Sequence, residues 1–217
     1  MATRVHSIVF GAVLGLLAAP ASAGDLPPEE TGPVVAAPPP ADAARSADRA
    51  ITVHGGLVSD NKLMRLLLTP WDAEVEGDIP WLGVSASQRI GSLGDGFTFE
   101  IEAGTGYRFG SEKTGEVWSA LFVRYDDFPW NNRIYTTMAA STGVNLASRI
   151  SPIERGKGGG NTSKLLHYLA PEITFADPRD KDLELVLRLH HRSGAFGLFD
   201  GATSGSNIAT LGIRRHF

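Results

Sequence analysis

The stretch FTFEIEAGTGYRFG, residues 97–110, decides the fold. Its odd positions are mostly apolar, and its even positions hold Thr, Glu, Gly or Arg, so that the two sets lie on opposite faces of a β-strand. The alternation lasts for fourteen residues. Strands of soluble proteins usually have ~5–6 residues, whereas a tilted strand that crosses a bilayer needs ~9–11. The length therefore favours a transmembrane strand.

The same alternation continues on both sides of this stretch. In 182–193, leucines alternate with Glu184, Arg188, His190 and Arg192, so the second face must meet water or polar partners. The whole pattern predicts eight strands. They are 51–59, 81–90, 97–110, 116–127, 132–146, 163–176, 182–194 and 205–217.

The connections between these strands favour an antiparallel barrel. With both termini in the periplasm, the periplasmic turns are short and rich in turn residues. They are 91–96, 128–131 and 177–181. The longer outer loops include 60–80, 147–162 and 195–204. This asymmetry is typical of bacterial barrels. We therefore predict an all-β fold, an eight-stranded antiparallel transmembrane β-barrel in the bacterial outer membrane. Within the first loop, 62–70 fits a short helix or an extra strand.

The first fifty residues are predicted to lie outside the barrel. Residues 1–23 have the features of a signal peptide: Arg4, an apolar run from Ile8 to Ala19, and the small residues Ala21-Ser22-Ala23 before the cleavage point. The apolar run is too short for a membrane anchor. Residues 24–50 are rich in Pro, Ala and acidic residues and predict a disordered linker. The barrel domain is predicted to span 51–217.

Composition excludes several classes of protein. The chain has no cysteine, which rules out disulfides and thiolate metal sites. Its net charge of -4 argues against a basic nucleic-acid-binding protein, so no nucleic-acid partner is expected. A mean hydropathy of -0.05 is too low for a helical membrane protein. Strands that alternate between lipid and lumen give such an average.

The C-terminal strand indicates the location. Phe217 follows Ile213, Leu211 and Ala209 at alternating positions, and this resembles the terminal strand recognised by the outer-membrane barrel assembly machinery, an expected partner during biogenesis. Arg215 departs from the pattern, which usually has an apolar residue there. An arginine near a membrane rim can extend its charge to water at a cost of roughly 0–1 kcal/mol. The alternative is a soluble β-sandwich.

Candidate chemistry lies in the segment 189–197, LHHRSGAFG. His191 and Ser193 share the face of the leucines, the face predicted to meet lipid. Two residues apart on one strand, they are separated by roughly 7 Å between Cα atoms. A neutral imidazole beside a serine hydroxyl is the general base and nucleophile of an esterase. On the lipid face, the pair is placed to meet an ester bond without removing the lipid from the membrane.

At this point the chain resembles the lipid A 3-O-deacylase (PagL-like) family of outer-membrane enzymes. Those are eight-stranded barrels with a serine-hydrolase triad on the outer wall, built on a His-x-Ser element in the penultimate strand. The likeness covers about 51–217 and is sharpest at His191-Arg192-Ser193 and Phe217. It implies a hydrolase that removes an ester-linked acyl chain from lipopolysaccharide, its lipid A partner, with no metal or other cofactor.

Two positions depart from that family. Where the family has Asn after the serine, this chain has Gly194, and where the family has its acid on the last strand, it has Gly205. Asp200 is the nearest substitute acid and Glu154 a remoter one. Asn207, on the lipid-facing parity of the last strand, is a candidate to orient the imidazole or to donate to an oxyanion. Losing the orienting carboxylate reduces the rate on the order of 10⁴-fold in serine hydrolases.

Other interpretations of these residues are weaker. His190 and His191 point to opposite faces of one strand, which argues against a shared metal site. The glycine-rich run 156–160 lacks the Gly-Lys-Ser/Thr order of a phosphate loop. Three cations in or near this run suit lipopolysaccharide phosphates or a solvated loop equally well. They are Arg155, Lys157 and Lys164.

Two hypotheses for function therefore stand. One is a lipid A esterase that uses Ser193 as nucleophile and His191 as base, with Asp200 or Asn207 orienting the imidazole. The other is a non-catalytic barrel with a structural or ligand-binding role, which the glycines at 194 and 205 favour. A transport pore is disfavoured, because eight strands enclose an interior filled by side chains.

Overall fold

The computed structural model describes residues 47–59, 61, 63–68, 75–157, 161–203 and 205–217. These residues form a closed antiparallel barrel of eight strands, as the alternation predicted. The predicted signal peptide and most of the predicted linker lie outside the described residues. No described helix is long and apolar enough to cross a membrane.

The strand segments are β1 (Arg49–Ser59), β2 (Val75–Leu93), β3 (Phe97–Arg108), β4 (Thr114–Tyr125), β5 (Tyr135–Ala147), β6 (Leu165–Leu169), β7 (Glu172–Asp177), β8 (Asp180–Ser193) and β9 (Gly205–His216). Two short helices, α1 (Leu63–Leu68) and α2 (Pro152–Lys157), and a 3₁₀ turn at Ala195–Gly197 lie in the outer loops. β6 and β7 form one barrel strand, since both pair with β5 and β8. The break between them falls at Ala170-Pro171, where proline has no N–H for the ladder.

The pairing of β1 with β9 closes the barrel, from Ala50 opposite His216 to Ser59 opposite Asn207. Most predicted boundaries hold to within about three residues. The exception is β2, which has nineteen residues and begins at Val75, inside the predicted loop 60–80. Its alternation is interrupted by Gly, Pro and a register shift opposite Leu57 and Val58. For this reason the sequence pattern did not predict the first half of the strand. In the ambiguous segment 62–70, the structure has the short helix α1.

The two faces of each strand differ as predicted. On β3, Ile101 and Tyr107 are exposed on the outer wall, while Glu102 and Arg108 are buried in the barrel. The apolar belt around the outside includes Ile51, Val53, Leu82, Val84, Ile101, Val117, Leu121, Val123, Met138, Val144, Leu183, Leu185, Leu211 and Ile213. A closed sheet satisfies its own backbone hydrogen bonds, as lipid requires. The apolar belt and the closed eight-stranded fold identify an outer-membrane protein.

Aromatic rings fill the middle of the barrel. Trp81, Trp118 and Tyr168 are buried around His190, with ring centroids 4.7–5.0 Å from its imidazole. Gly83 and Gly106, paired across β2 and β3, leave room for Trp81, because a Cβ at either would lie within 2.5 Å of its ring. These three aromatics therefore belong to the core.

A network of ion pairs fills the periplasmic half of the interior. Glu172 accepts hydrogen bonds from Arg124 (2.8 Å), Arg188 (2.7 Å) and Arg214 (2.9 Å). Glu102 accepts hydrogen bonds from both terminal nitrogens of Arg188, each at 2.7 Å. The charges that alternate with the leucines thus meet polar partners inside the barrel. On the outer wall, Arg215 lies at the periplasmic rim, 3.9 Å from Asp180, both well exposed.

Replacing Glu172 by Gln should destabilise the barrel strongly, because three buried arginines then lose their shared carboxylate. Removing one partner from a buried ion network costs about 3–5 kcal/mol. The measurement is the urea concentration at the midpoint of unfolding in lipid vesicles. The folded and unfolded fractions are determined from their different mobilities on a gel. Asp95→Asn, in the exposed turn between β2 and β3, is the matched control and should keep the wild-type midpoint. Equal midpoints for the two variants would contradict the assignment.

Candidate functional site

Ser193 is the last residue of β8, at the outer rim of the barrel. Ser193 and His191 are partly exposed on the outer wall, while Arg192 between them is buried in the interior. The structure therefore places both candidate residues on the lipid-facing side of the wall.

The register of the barrel defines two rows of neighbours on this wall. Ser193 lies between His167 of β6 and Gly205 of β9. One row closer to the periplasm, His191 lies between Leu169 of β6 and Asn207 of β9. The nucleophile candidate thus has an imidazole on one side and a glycine, without a side chain, on the other.

A chain of hydrogen bonds runs from His191 to the first outer loop. The Nδ1 atom of His191 lies 2.6 Å from Oδ1 of Asn207. In turn, Nδ2 of Asn207 donates to the backbone carbonyl of Asn61 at 2.6 Å. Asn207 is 3% exposed, so this amide is held in a nearly dry contact. Of the predicted orienting residues, Asn207 is the one that the structure brings to the imidazole.

The chain of bonds determines the protonation of the ring. A carbonyl oxygen only accepts, so the Asn61 carbonyl must face the NH₂ group of Asn207. The oxygen of the same amide then faces His191, and Nδ1 must carry the proton in order to donate to it. The other nitrogen, Nε2, is therefore the unprotonated one in the neutral ring. This is the tautomer that a general base requires.

The acidic candidates are placed elsewhere. Asp200 is exposed in the turn after the 3₁₀ segment, with a left-handed φ of 53°. Glu154 is fully buried on the inner side of the wall. Neither makes a hydrogen bond or an ion pair with His191 within the described residues. Among those residues, Ser193 Oγ also lacks a hydrogen-bond partner.

Glu154 supports the wall from within. Its Oε1 atom lies 3.1 Å from Nε of Arg192 and accepts a hydrogen bond from Ser206 at 2.7 Å. Arg192 precedes Ser193, and Ser206 precedes Asn207, so this carboxylate ties together the inner faces of the two strands that carry the site. The same serine accepts a hydrogen bond from Arg108 at 2.9 Å.

Close backbone approaches explain the two glycines that depart from the family. A Cβ at Gly205 would lie 2.3 Å from the carbonyl oxygen of Arg192, and a Cβ at Gly194 would lie 1.8 Å from that of Ala202. No side chain fits either position without a shift of the backbone. The tight return of the chain between β8 and β9 thus excludes an acid at 205 and an asparagine at 194.

His167 is the residue that the sequence analysis missed. It points outward beside Ser193, and its Nε2 atom lies 3.0 Å from Oγ1 of Thr142 on β5. Its ring centroid lies 6.1 Å from that of Phe199 in the loop after Ser193. The alternation in the predicted strand 163–176 could have shown that His167 points outward. The sequence pattern could not show the register of this strand against β8, which makes His167 a neighbour of Ser193.

Comparisons with known proteins concern the fold. No protein-family model matches the chain, and no curated protein sequence matches it. Its structure is similar to the crystal structure of the outer membrane enzyme PagL, with 16% identity and a TM-score of 0.50 over 77% of this chain and 99% of that chain. Neisserial surface protein A gives 13% identity and a TM-score of 0.46 over 79% of this chain and 98% of that one. Ail, the attachment invasion locus protein of Yersinia pestis, gives 10% identity and a TM-score of 0.36 over 79% of this chain and 99% of that one.

The tautomer of His191 can be tested without any assay of function. In histidine-labelled protein in micelles, the ¹⁵N spectrum should show a protonated Nδ1 and an unprotonated Nε2 for the neutral ring. Asn207→Leu removes the acceptor, so the spectrum should move toward the mixture of tautomers of free imidazole. Asn132→Leu, in the exposed turn between β4 and β5, should change nothing. A wild-type ring protonated at Nε2 would overturn the assignment.

Proposed function

We propose that the chain is an outer-membrane esterase that removes an ester-linked acyl chain from lipid A of lipopolysaccharide. The observation that carries this proposal is the hydrogen-bonded sequence His191–Asn207–Asn61 beside Ser193, on the lipid-facing wall. It supplies a nucleophile, a base and a group that orients the base, which is the triad arrangement of serine and cysteine hydrolases.

The reaction follows from the tautomer. Ser193 Oγ attacks the ester carbonyl and gives its proton to Nε2 of His191, while the proton on Nδ1 stays on His191 and continues to donate to Oδ1 of Asn207. The tetrahedral intermediate then expels the sugar alkoxide, which takes the proton back from Nε2. Water then attacks the acyl-serine and gives a proton to Nε2 of His191. His191 returns this proton to Ser193 Oγ as the bond between Oγ and the acyl group breaks. The bond between Ser193 and His191 forms when substrate is present, since catalytic hydrogen bonds often tighten only in the complex.

An asparagine serves here in place of the acid. In a trypsin-type triad, Asp→Asn lowers the rate about 10⁴-fold because the imidazole takes the wrong tautomer. Here the Asn61 carbonyl fixes the amide so that its oxygen faces the ring, which removes that cause of the loss. The amide lacks the negative charge that stabilises an imidazolium, so a moderate rate is expected.

The surroundings of Ser193 support a lipid substrate with phosphate groups. Phe196 and Leu198, in the loop directly after it, are fully and 83% exposed. They offer an apolar surface to the acyl chain of an ester that Ser193 attacks. Arg155 and Lys164 are exposed at the same outer rim, where guanidinium and ammonium groups suit lipid A phosphates.

Lipid A from cells that express the wild-type chain should lose one ester-linked acyl chain, and mass spectrometry measures that loss. Ser193→Ala should restore the unmodified lipid A, because the nucleophile is removed. Ser119→Ala changes an outward-facing serine of β4 away from the site, and cells carrying it should show the wild-type pattern. Identical lipid A in all strains, with each variant folded in the outer membrane, would reject the esterase and favour the non-catalytic barrel.

The exposed loop gives a separate prediction about substrate length. The double variant Phe196→Ser, Leu198→Ser should raise KM for long-chain esters, since it removes apolar contact at about 25 cal/mol per Å² of buried surface. Hydrolysis of an acetyl ester should be unaffected, because so short a chain does not reach the loop. The measurement is kcat and KM for p-nitrophenyl esters of increasing length. An equal loss for short and long esters would contradict this role for the loop.

A further inference from the structure

We propose that His167 is a second catalytic imidazole of this site, whose ring N–H binds the oxyanion formed when Ser193 attacks an ester. The inference rests on the proposed function and adds a donor that the His-x-Ser segment does not contain. It comes from the barrel register, which brings a histidine of β6 beside the last residue of β8.

His167 lies directly opposite Ser193 in the strand pairing, whereas His191 is two residues away along the same strand. Residues directly opposite each other on antiparallel strands have Cβ atoms about 4.5–5.5 Å apart. Residues two apart on one strand are separated by roughly 7 Å between Cα atoms. An ester carbonyl that meets Ser193 Oγ on the outer wall therefore lies beside the ring of His167, which is opposite Ser193 in the strand pairing.

Contacts hold the His167 ring in place. Its Nε2 atom lies 3.0 Å from the Thr142 hydroxyl, and Phe199 packs near the ring at 6.1 Å between centroids. With the hydroxyl donating to Nε2, the proton of the neutral ring is on Nδ1. An imidazole N–H beside the nucleophile is one of the groups that form oxyanion holes.

The two histidines then have different tasks. His191 is oriented by an amide oxygen and takes the proton of Ser193. His167 exchanges no proton: its N–H donates a hydrogen bond to the carbonyl oxygen as the C–O double bond becomes a single bond to O⁻. When the intermediate collapses, the double bond re-forms and that hydrogen bond weakens. The proton transfers of the whole hydrolysis take place between Ser193, His191, the ester and the attacking water.

The test uses the full chain, folded in vesicles, with two readouts. One is the rate at which a fluorophosphonate labels Ser193, and the other is kcat, KM and the pH profile with a soluble p-nitrophenyl ester. His167→Leu should lower kcat and the labelling rate by about 10²–10³-fold, as loss of one oxyanion donor does, with KM little changed. His167→Gln, which keeps an N–H donor, should recover most of the loss. The acidic limb of the pH profile should persist in both variants, because His191 sets it.

Two further variants control the experiment. Thr142→Val removes the hydroxyl that fixes the ring and should slow both reactions about tenfold, the effect of one lost hydrogen bond of about 1.4 kcal/mol. It also serves where His167→Leu fails to fold. Tyr107→Leu, an outward-facing aromatic of β3 at the same rim, should match the wild type.

The outcomes separate this inference from the proposed function. If the wild type hydrolyses the ester and His167→Leu and Thr142→Val react at its rate, the inference is wrong and the esterase stands. If His167→Gln is as slow as His167→Leu and both lose the acidic limb, His167 is a base and the donor role is wrong. If Ser193 of the folded wild type takes no label and no ester is hydrolysed, the proposed function fails and the inference fails with it.

Discussion

The pairing of β1 with β9 is the constraint on which the rest of the structure depends. In lipid, an unpaired strand edge costs several kcal/mol for each unsatisfied backbone group, so the sheet must close. Closure here places Ser59 opposite Asn207, and Asn207 opposite His191. The same contact that removes the edges therefore brings the first outer loop, through the Asn61 carbonyl, to the amide that faces the imidazole. Membrane stability and site geometry depend on one register.

Closure with eight strands also determines what fills the interior. A barrel of this size has room for side chains and no more. The inward positions hold large aromatics where glycines face them and paired charges elsewhere. Buried ion pairs seldom add net stability, but they are strongly destabilising when broken. Glu154 uses this property near the site: it ties Arg192 to Ser206, and so holds the ends of β8 and β9 together behind Ser193 and Asn207.

Alternation of period two was sufficient to predict the strands, the outward parity of His191 and Ser193, and the outer-membrane fold, because each of these depends on local pattern. Four features could not be predicted from this alternation. The first half of β2 lacks alternation, and Trp81 and Trp118 lie inside only because glycines on neighbouring strands make room. His167 becomes a neighbour of Ser193 through strand register, which depends on loop lengths and a break at Pro171 that local pattern does not encode. The bond from Asn207 to Asn61 depends on closure between the two ends of the barrel.

The glycine at 205 is coupled to the shape of the loop. The chain returns from β8 to β9 so tightly that the carbonyls of Arg192 and Ala202 occupy the space of side chains at 205 and 194. A substitution to glutamate at 205 alone would therefore displace backbone before it could orient a ring. The residue that the structure brings to the His191 ring lies one row away, at Asn207, which is buried and whose amide donates to the Asn61 carbonyl. Under this geometry, an uncharged partner with a fixed orientation is compatible with a neutral, lipid-facing wall, where an unpaired carboxylate would be strongly disfavoured.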